Sequence, residues 1–474
     1  MGANNSSQKE TTVVEDESLT QEERLKLQSI YKAGVGGKDE KQTLSEDQLK
    51  SLWKGRVEDN LLERIVKYLF SNQEGSPSKK GGVTFYQFSH LFVEAVRGPV
   101  EEKAVLVASL TSGKSDGAST TDIIEYLKEI VASYVNAEKI TKQFQSWEQV
   151  GCKLSPESVD LLATSLAHGL ASPGKLRKET WALQDEERDC SVDDIKNWLM
   201  TCCDFNNMQT AVFQRLYFGA DTPTGDDVIC LFPTCSGVTR GILDDTIFPS
   251  ELDMAAVAFL NSALPSEARN EWRFLFSSSV HGESFSKMLG NVLAKGATLI
   301  IVKDKDGHVF GGFATESWNL KPQFVGSENC FLFNLRPKMN IYYPTGYNDH
   351  FQYLNVQQQT MPNGLGMGGV MEYFGLFLDS SYGTGKCGET CTTYQSPLMS
   401  GNKEFEIAHL EVWGVGPPPK TPSELGERPS ILDFDNEAKA VLAMAGKGGH
   451  SDGWRDPDES PLLPQSTTIS RKKT

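Results

Sequence analysis

The sequence predicts a multidomain protein with an α-helical N-terminal half, then an α+β domain built on a β-sandwich, then a C-terminal amphipathic helix. Apolar residues recur at helical spacing from about residue 20 to residue 220. From about residue 242 the chain changes to short runs rich in aromatic and β-branched residues, which favour strands. A proline-rich stretch, "GPPPKTP" at 416–422, separates these runs from one last helical pattern.

Length and charge limit the class of protein. A chain of 474 residues is longer than a single hydrophobic core usually serves, so several domains are expected. Its 63 acidic and 46 basic residues leave a net charge of −17, which argues against nucleic acid and against bulk binding to anionic lipid. Partners with basic surfaces are favoured instead.

The nine cysteines do not form a recognisable framework. Their number is odd and no secretory signal precedes them, so reduced thiols in the cytoplasm are expected. Cys230 with Cys235, and Cys387 with Cys391, are not spaced as zinc ligands, and no histidine pair completes either set. We therefore expect neither a metal site nor a cofactor.

Residues 1–19 are expected to form a flexible tail that carries a lipidation signal. "MGANNSS" places Gly2 after the initiator methionine and Ser6 four residues later, which is the pattern of N-myristoylation. One myristoyl chain supports only marginal, reversible membrane binding, with an association constant on the order of 10⁴ M⁻¹. A protein partner would therefore have to complete the anchoring. The alternative is an unmodified polar tail.

Residues 20–220 have the pattern of helices separated by short loops, as in "NLLERIVKYLF". "GGVTFYQFSHLF" and "DCSVDDIKNWLM" resemble an EF-hand loop passing into its exit helix. With Val83 at loop position 8, Gln87 stands at position 12, where calcium needs a bidentate glutamate; with Val192 at position 8, Lys196 stands there. The region is predicted to be EF-hand-like with decayed metal sites, and an unrelated helical domain is the alternative.

Residues 243–416 are predicted to form the α+β domain. "TLIIVKDKDGHVFGGFA" has two β-rich runs on either side of Asp306 and Gly307, which is a hairpin signal. "ENCFLFNL", "YFGLFLDSSYG" and "FEIAHLEVWGVG" predict further strands, and "LDMAAVAFLNSAL" and "SFSKMLGNVLAKG" predict helices.

Residues 417–474 are expected to contain the linker, an amphipathic helix at 430–446 and a disordered end. Ser430 fits a helix start and Gly446 a stop. The helix either packs on its own domain or docks into a partner's groove. Its candidate partner-binding residues are Ile431, Leu432, Phe434, Val441 and Leu442.

"FLFSSSVHGESFSKML" groups serines with His281 and Glu283, as a hydrolase site would. Sequence neighbours rarely meet the geometry of a catalytic triad, and "HGESF" lacks the second glycine of a G-x-S-x-G elbow. Ser279 and Ser284 are instead expected to cap a turn and a helix that begins near Phe285. No catalytic residue is therefore predicted, and a hydrolase that uses Ser279, His281 and Ser284 stays an alternative.

A second motif, "GLGMGG", places Gly364, Gly366 and Gly369 in the order of a dinucleotide fingerprint. Polar "VQQQTMPN" precedes it and a β-like run follows it, whereas the fingerprint needs a strand before and a helix after. A glycine-rich loop that lets backbones pack closely is favoured. Unshielded N–H groups in such a loop make the three glycines candidate partner-binding residues.

The sequence also allows two other functions, a thiol peroxidase and a calcium sensor. A thiol peroxidase would need an accessible cysteine of low pKa, and Cys387 beside Lys386, with Cys391 as the resolving thiol, is the candidate. A calcium sensor would need a working loop in the helical half.

"EWRFLFSSSVHGESF", "VFGGFA", "ENCFLFNL", "GLGMGG" and "LEVWGVG", in this order, resemble the TLDc domain over roughly Leu243 to Gly416. The resemblance implies an α+β sandwich without an established catalytic mechanism. The residues assigned to its structural motifs are Trp272, Phe276, His281, Gly282, Ser284, Phe285, Glu411 and Trp413.

The resemblance also implies partners. TLDc proteins are linked to resistance to oxidative stress and bind the cytosolic (V1) sector of the vacuolar H⁺-ATPase. The EF-hand-like half, the myristoylation signal and the trailing helix resemble the branch of the family associated with lysosomes and with nutrient signalling through mTOR. The chain is interpreted as a non-enzymatic adaptor or regulator in the cytoplasm and on the cytoplasmic face of the lysosomal membrane. Its expected partners are V1 subunits, mTOR pathway components and, through Gly2, the membrane.

Overall fold

The computed structural model describes residues 19–37, 42–71, 81–170, 187–219, 230–238, 250–371 and 373–420, together with Ala438, Val441 and Leu442. The helical N-terminal half is confirmed. Its helices, within the described ranges, are α1 (Gln21–Gly34), α2 (Glu46–Trp53), α3 (Asp59–Ser71), α4 (Phe85–Val96), α5 (Val100–Ser112), α6 (Thr120–Glu138), α7 (Lys142–Gln149), α8 (Pro156–Leu166), α9 (Val192–Thr201) and α10 (Cys203–Phe218). Two short strands, β1 (Gly117–Ser119) and β2 (Asp189–Ser191), lie among them.

Local capping determines where several of these helices begin. A serine or threonine at the N-cap accepts a hydrogen bond from the backbone N–H three residues later. In α2, α4 and α9 the side chain at that third position also accepts from the N-cap backbone, which completes a capping box. The pairs are Ser45 with Gln48, Thr84 with Gln87, and Ser191 with Asp194.

The loops that precede these helices pair across the helical half. Leu44, just before α2, forms an antiparallel bridge with Val83, just before α4. Strands β1 and β2 pair in the same way, with Ala118 opposite Cys190. The helical half thus contains helix–loop–helix units, and their loops form two pairs, each joined by a short antiparallel bridge. The residue equivalent to Val83 in the last loop is Cys190, whereas Val192 is already the first residue of α9, so the predicted alignment on Val192 is wrong by two residues.

The second half contains a 12-stranded sheet, which confirms the predicted α+β composition. Its strands are β3 (Thr234–Ser236), β4 (Glu271–Ser277), β5 (Thr298–Asp304), β6 (Val309–Ala314), β7 (Lys321–Val325), β8 (Phe331–Arg336), β9 (Asn340–Tyr342), β10 (Gln352–Asn355), β11 (Gly364–Val370), β12 (Tyr373–Asp379), β13 (Thr384–Lys386) and β14 (Glu404–Val415). The helices are α11 (Met254–Ala263), α12 (Ser278–His281) and α13 (Phe285–Val292). The hairpin predicted around Asp306 and Gly307 is confirmed as β5 and β6.

The long strand β14 lies in the middle of this sheet. The order is β7-β10-β11-β12-β13-β14-β5-β6-β8-β9, with β4 also paired to β14 and β3 paired to β4. Pairing is antiparallel except between β3 and β4. Side chains from β5 and β14 share a core with side chains from β11 and β12, so the sheet folds over on itself around a buried layer. This layer includes Ile300, Val412, Met367 and Leu376.

The opposite face of β14 packs against the helical half. Trp147 of α7 contacts Trp272 of β4 and Trp413 of β14, with ring centroids 5.6 and 5.1 Å apart. All three indoles are almost fully buried, and the Trp147 Nε1 donates to the Pro233 carbonyl at 2.8 Å. One hydrophobic core therefore extends from the helices into the sheet.

The two ends of the chain lie largely outside the described residues. In the predicted helix at 430–446, Ala438, Val441 and Leu442 have helical backbone and the rest is outside, so that helix stays a prediction. Within the described parts of the chain, no helix is both long and apolar enough to cross a membrane.

Candidate functional site around strand β14

His281, the histidine of the predicted motif, is held by structural contacts. Its ring stacks on Phe274 and Phe276, with centroids 5.7 and 5.4 Å away. Its Nδ1 accepts the backbone N–H of Ser277 at 3.2 Å, and burial lowers the pKa of the imidazole. These contacts fix the end of β4 and use the nitrogen that a general base would need. The structure therefore does not join His281 to Ser279 or Ser284.

The rest of the motif forms a turn and a helix start. Gly282 has a φ of +86°, a conformation that glycine adopts without a steric cost. Ser284 is the N-cap of α13 and accepts from the Lys287 N–H at 3.4 Å, while Phe285 is buried. Phe276 lies fully in the core between the folded halves of the sheet. The geometry is that of a structural motif.

The histidine that does contact the serines is His409 of β14. Its Nδ1 lies 3.0 Å from Ser279 Oγ and 3.2 Å from Ser278 Oγ, and its Nε2 lies 3.4 Å from Ser277 Oγ. Burial lowers the pKa of His409, which favours the neutral ring. Ser279 is exposed, and its hydroxyl lies within proton-transfer distance of this ring. However, the far ring nitrogen faces a hydroxyl, whereas a catalytic triad places a carboxylate there.

His409 is not among the residues predicted from the sequence, although the strand pattern contains a signal for it. In "FEIAHLEVWG" alternate residues lie on one face of a strand, so His409, Glu411 and Trp413 share a face. Their distance from the serines along the chain, about 130 residues, hid the contact.

Glu411 is fully buried on this face and accepts hydrogen bonds from three donors. Ser250 Oγ donates at 2.9 Å, the Glu251 N–H at 3.0 Å and the Trp413 Nε1 at 3.2 Å. Burial raises the pKa of Glu411 from its ordinary 4.5 to about 7, although these hydrogen bonds pull it down. Glu411 therefore connects β14 to the segment Ser250–Asp253, which we call the strap.

The strap also contacts the helical half. Ser155 Oγ donates to Asp253 at 2.8 Å, and the Met254 N–H donates to the Lys153 carbonyl at 3.0 Å. Glu251 pairs with Lys303 at 3.1 Å and with Arg336 at 3.3 Å. A cavity of about 210 Å³ lies beside these contacts, and its lining includes Trp147, Cys152 and the strap.

The predicted glycine-rich loop is a buried strand. Gly364, Gly366 and Gly369 lie in β11, where the register pairs them with β12, and Gly364 and Gly366 also with β10. A Cβ on Gly366 would come within 2.7 Å of the Phe374 ring, and a Cβ on Gly369 would collide with the Tyr373 carbonyl. The expectation of unshielded N–H groups is therefore wrong for these residues. The close approach of rings and carbonyl groups instead explains why glycine stands at these positions.

The candidate redox thiols lie in the core. Cys387 and Cys391 are each 2% exposed, and burial raises the pKa of Cys387 to about 12. A peroxidatic cysteine needs an accessible thiolate, so Cys387 does not have the predicted environment. The described residues contain no cluster of three histidine, cysteine, aspartate or glutamate side chains that could hold a metal ion.

The remaining predicted site residues lie at the two ends. Gly2, Ile431, Leu432 and Phe434 are outside the described residues. Val441 is half exposed and Leu442 is partly buried.

Comparison with known proteins supports the fold-level resemblance. Residues 251–416 match the model of the TLDc domain. The chain is 36% identical to the MTOR-associated protein MEAK7 of Gallus gallus over 90% of this chain and 91% of the relative. It is 40% identical to the protein of that name from Xenopus laevis (79% and 80% covered) and 35% identical to the one from Homo sapiens (79% and 80%). The chain therefore belongs to the TLDc-domain family and, within it, to the homologues of MTOR-associated protein MEAK7.

Proposed function

We propose that the chain is a non-enzymatic adaptor or regulator that acts in mTOR-dependent nutrient signalling. The observation that carries this proposal is the similarity to MEAK7 proteins over about nine tenths of the chain, because their name records association with mTOR. The hydrophobic core that the helices and the sheet share suits such a role, since it joins two surfaces in one molecule.

The finer part of the proposal concerns the lysosome. The TLDc resemblance supports binding to V1 subunits of the vacuolar H⁺-ATPase, and the signal at Gly2 supports residence on the cytoplasmic face of the lysosomal membrane. A lipid and a protein contact on one chain act together, because the first bound contact raises the effective concentration of the second. Neither contact alone needs to be strong.

A protein that bound near the glycine motif would contact the exposed side chains next to it, because the glycines themselves are buried. Val370 and Tyr373, at the turn between β11 and β12, are 42% and 74% exposed. We therefore propose this turn, in place of the buried glycines, as the contact point. Tyr373→Ser should weaken capture of the partner. Tyr86→Ser, at a tyrosine of α4 that is 51% exposed, is the matched control and should leave capture unchanged.

We infer that the helical half is EF-hand-like and has lost its calcium sites. Paired loops followed by capped helices support the EF-hand relationship. With Ala118 at position 8, the third loop offers Thr111, Gly113 and Ser115 at positions 1, 3 and 5, none of which is a carboxylate. In the last loop Asp194 stands at position 12, where its side chain caps α9. Calorimetry should detect no micromolar calcium binding; a micromolar site would restore the sensor alternative.

The test of the adaptor proposal is a capture experiment on solubilised lysosomal membranes. The bait is the full chain, with a version that ends at Gly416 for comparison. Co-purification of V1 subunits and mTOR components with the full chain supports the proposal. Weaker capture by the shorter bait would assign a second contact to residues 417–474. Capture of neither partner by either bait would overturn the proposal for this chain.

The part played by the lipid is tested separately by Gly2→Ala. The variant should move from the membrane fraction to the soluble fraction, because the myristoyl group can be attached only to an N-terminal glycine. Ala3→Ser, which keeps Gly2, is the control. Unchanged membrane association of Gly2→Ala would remove the acyl chain from the proposal.

A further inference from the structure

Glu411 is a fully buried carboxylate at the place where the helical half, the strap and the sheet meet. The strap binds Glu411 through Ser250 and the Glu251 N–H, and it binds the helical half through Asp253. Trp413, which donates to the same carboxylate, packs against Trp147 of α7. Any change at this carboxylate is therefore felt on both sides of the junction.

Among the described residues, no cation pairs with this carboxylate. Within the described part of the chain, no lysine, arginine or histidine lies within ion-pair distance of Glu411, and its three contacts are neutral donors. Lys303 and Arg336 both pair with Glu251, and Lys153, which lines the cavity beside the strap, makes no described ion pair with Glu411. A buried charge without an ion-pair partner is costly, whereas a neutral carboxylic acid at the same place costs much less.

We propose that Glu411 makes the junction between the helical half and the sheet responsive to pH, so that loss of the Glu411 proton loosens the strap. Opening of the strap, beside the existing cavity of about 210 Å³, would let water reach the carboxylate. A protonated Glu411 gains less from hydration than a carboxylate does, so protonation favours the closed junction. This pH response of the junction does not depend on binding to the vacuolar pump or to mTOR.

The other titratable groups around Glu411 support this direction. Glu251 of the strap adds negative charge next to Glu411 and so disfavours its ionised form. Cys152 of the helical half and Asp253 of the strap add a thiol and a carboxylate, and Lys153 of the helical half lines the adjacent cavity. His409, two residues away on β14, faces the serines, and burial lowers the pKa of its ring, which favours the neutral form.

The size of the effect follows from linkage. If Glu411 has a pKa of about 7 in the closed junction and its ordinary 4.5 when hydrated, the open fraction increases with pH and levels off once both forms are ionised. Between pH 6 and pH 8 the open fraction should increase by about tenfold, and above pH 8 it should change little. A thiol or lysine titration would continue to act above pH 8.

The test is hydrogen exchange on the full chain at pH 6, 7, 8 and 9, compared with Glu411→Gln. The intrinsic chemistry of exchange is the same in both proteins, so their ratio isolates Glu411. At the amides of Glu251 and Leu252, the opening of the wild type relative to the variant should increase about tenfold from pH 6 to pH 8 and then stay level. Glu406→Gln, at an exposed position of β14, is the control and should behave as the wild type.

Two results would overturn the proposal. One is a ratio that does not change with pH. The other is the same change at the amides of α3, which would mean that Glu411 acts on the whole fold and not on the junction. If Glu411→Gln does not fold, Ser250→Ala keeps the carboxylate but removes a donor that favours its ionised form. The midpoint of the pH response should then move upward, and an unmoved midpoint would contradict the proposal.

Discussion

The N-caps of the helical half are contacts between residues three apart in the sequence, whereas the contacts that join β14 to the strap and to the serines connect residues more than a hundred apart. Thr84 caps α4 at its own Gln87 N–H. In contrast, Ser250 and Glu411 are 161 residues apart, and Ser279 and His409 are 130 apart. The first kind of contact forms with its helix, while the second exists only once the sheet has closed. The contacts around β14 therefore depend on the single buried residues Glu411 and His409.

The largest expected effect is at the place where the two halves meet. Trp147→Ala should lower the free energy of unfolding by about 3–5 kcal/mol, because it leaves a cavity between Trp272 and Trp413. Chemical denaturation followed by far-UV circular dichroism measures this. The loss of the shared contact should also separate the unfolding of helices and sheet into two transitions. A single transition with a loss below 1 kcal/mol would contradict the shared core.

A second prediction concerns the glycines of β11. Gly369→Ala should destabilise the protein by about 2–4 kcal/mol, because its φ is +81° and the new methyl group meets the Tyr373 carbonyl. Gly383→Ala is the matched control, since φ is +91° but nothing lies within 4 Å of the new Cβ. That variant should lose only about 1 kcal/mol. If both variants lost the same free energy of unfolding in denaturant, the contact of β11 with β12 would not explain the glycine at position 369.

The helical half should respond more weakly. Thr84→Ala removes the N-cap of α4 and should cost about 1 kcal/mol. Thr164→Ala, within α8, is the control and should change stability by less than about 0.5 kcal/mol. If the cap variant lost as much as Gly369→Ala in the same denaturation assay, the contrast between the two halves would not hold.

The smallest effect of a substitution is expected at His409, on a strand where two buried groups give pH dependences of opposite sign. Burial lowers the pKa of His409, so the unfolded chain takes up the proton first, and stability falls as pH falls below the ordinary value of 6.5. Glu411 has a raised pKa, so its contribution falls as pH increases from 4.5 to about 7. His409→Gln should therefore flatten the acidic side of the stability profile. Denaturation midpoints measured from pH 5 to pH 7.5 would contradict this if both proteins had the same slope.

Much of the architecture could be predicted because it depends on neighbours in the sequence. The apolar spacing of α3, the turn at Asp306 and Gly307, and the cap at Ser284 are local patterns. The TLDc motifs were also recognisable as short stretches, although each one alone is weak. The candidate site was harder to predict, because its parts come from the strap, β4 and β14.

The amino-acid sequence by itself determined the helical half, the hairpin of β5 and β6, and the TLDc family. Only the tertiary structure decided that His409 rather than His281 meets the serines, that the "GLGMGG" glycines are a buried strand, and that Cys190 rather than Val192 is equivalent to Val83 in the last loop. The physical reason is the range of the forces involved. Helix periodicity and capping act within a few residues, whereas hydrogen bonding and the pKa of a buried group depend on whichever distant segments fold against it.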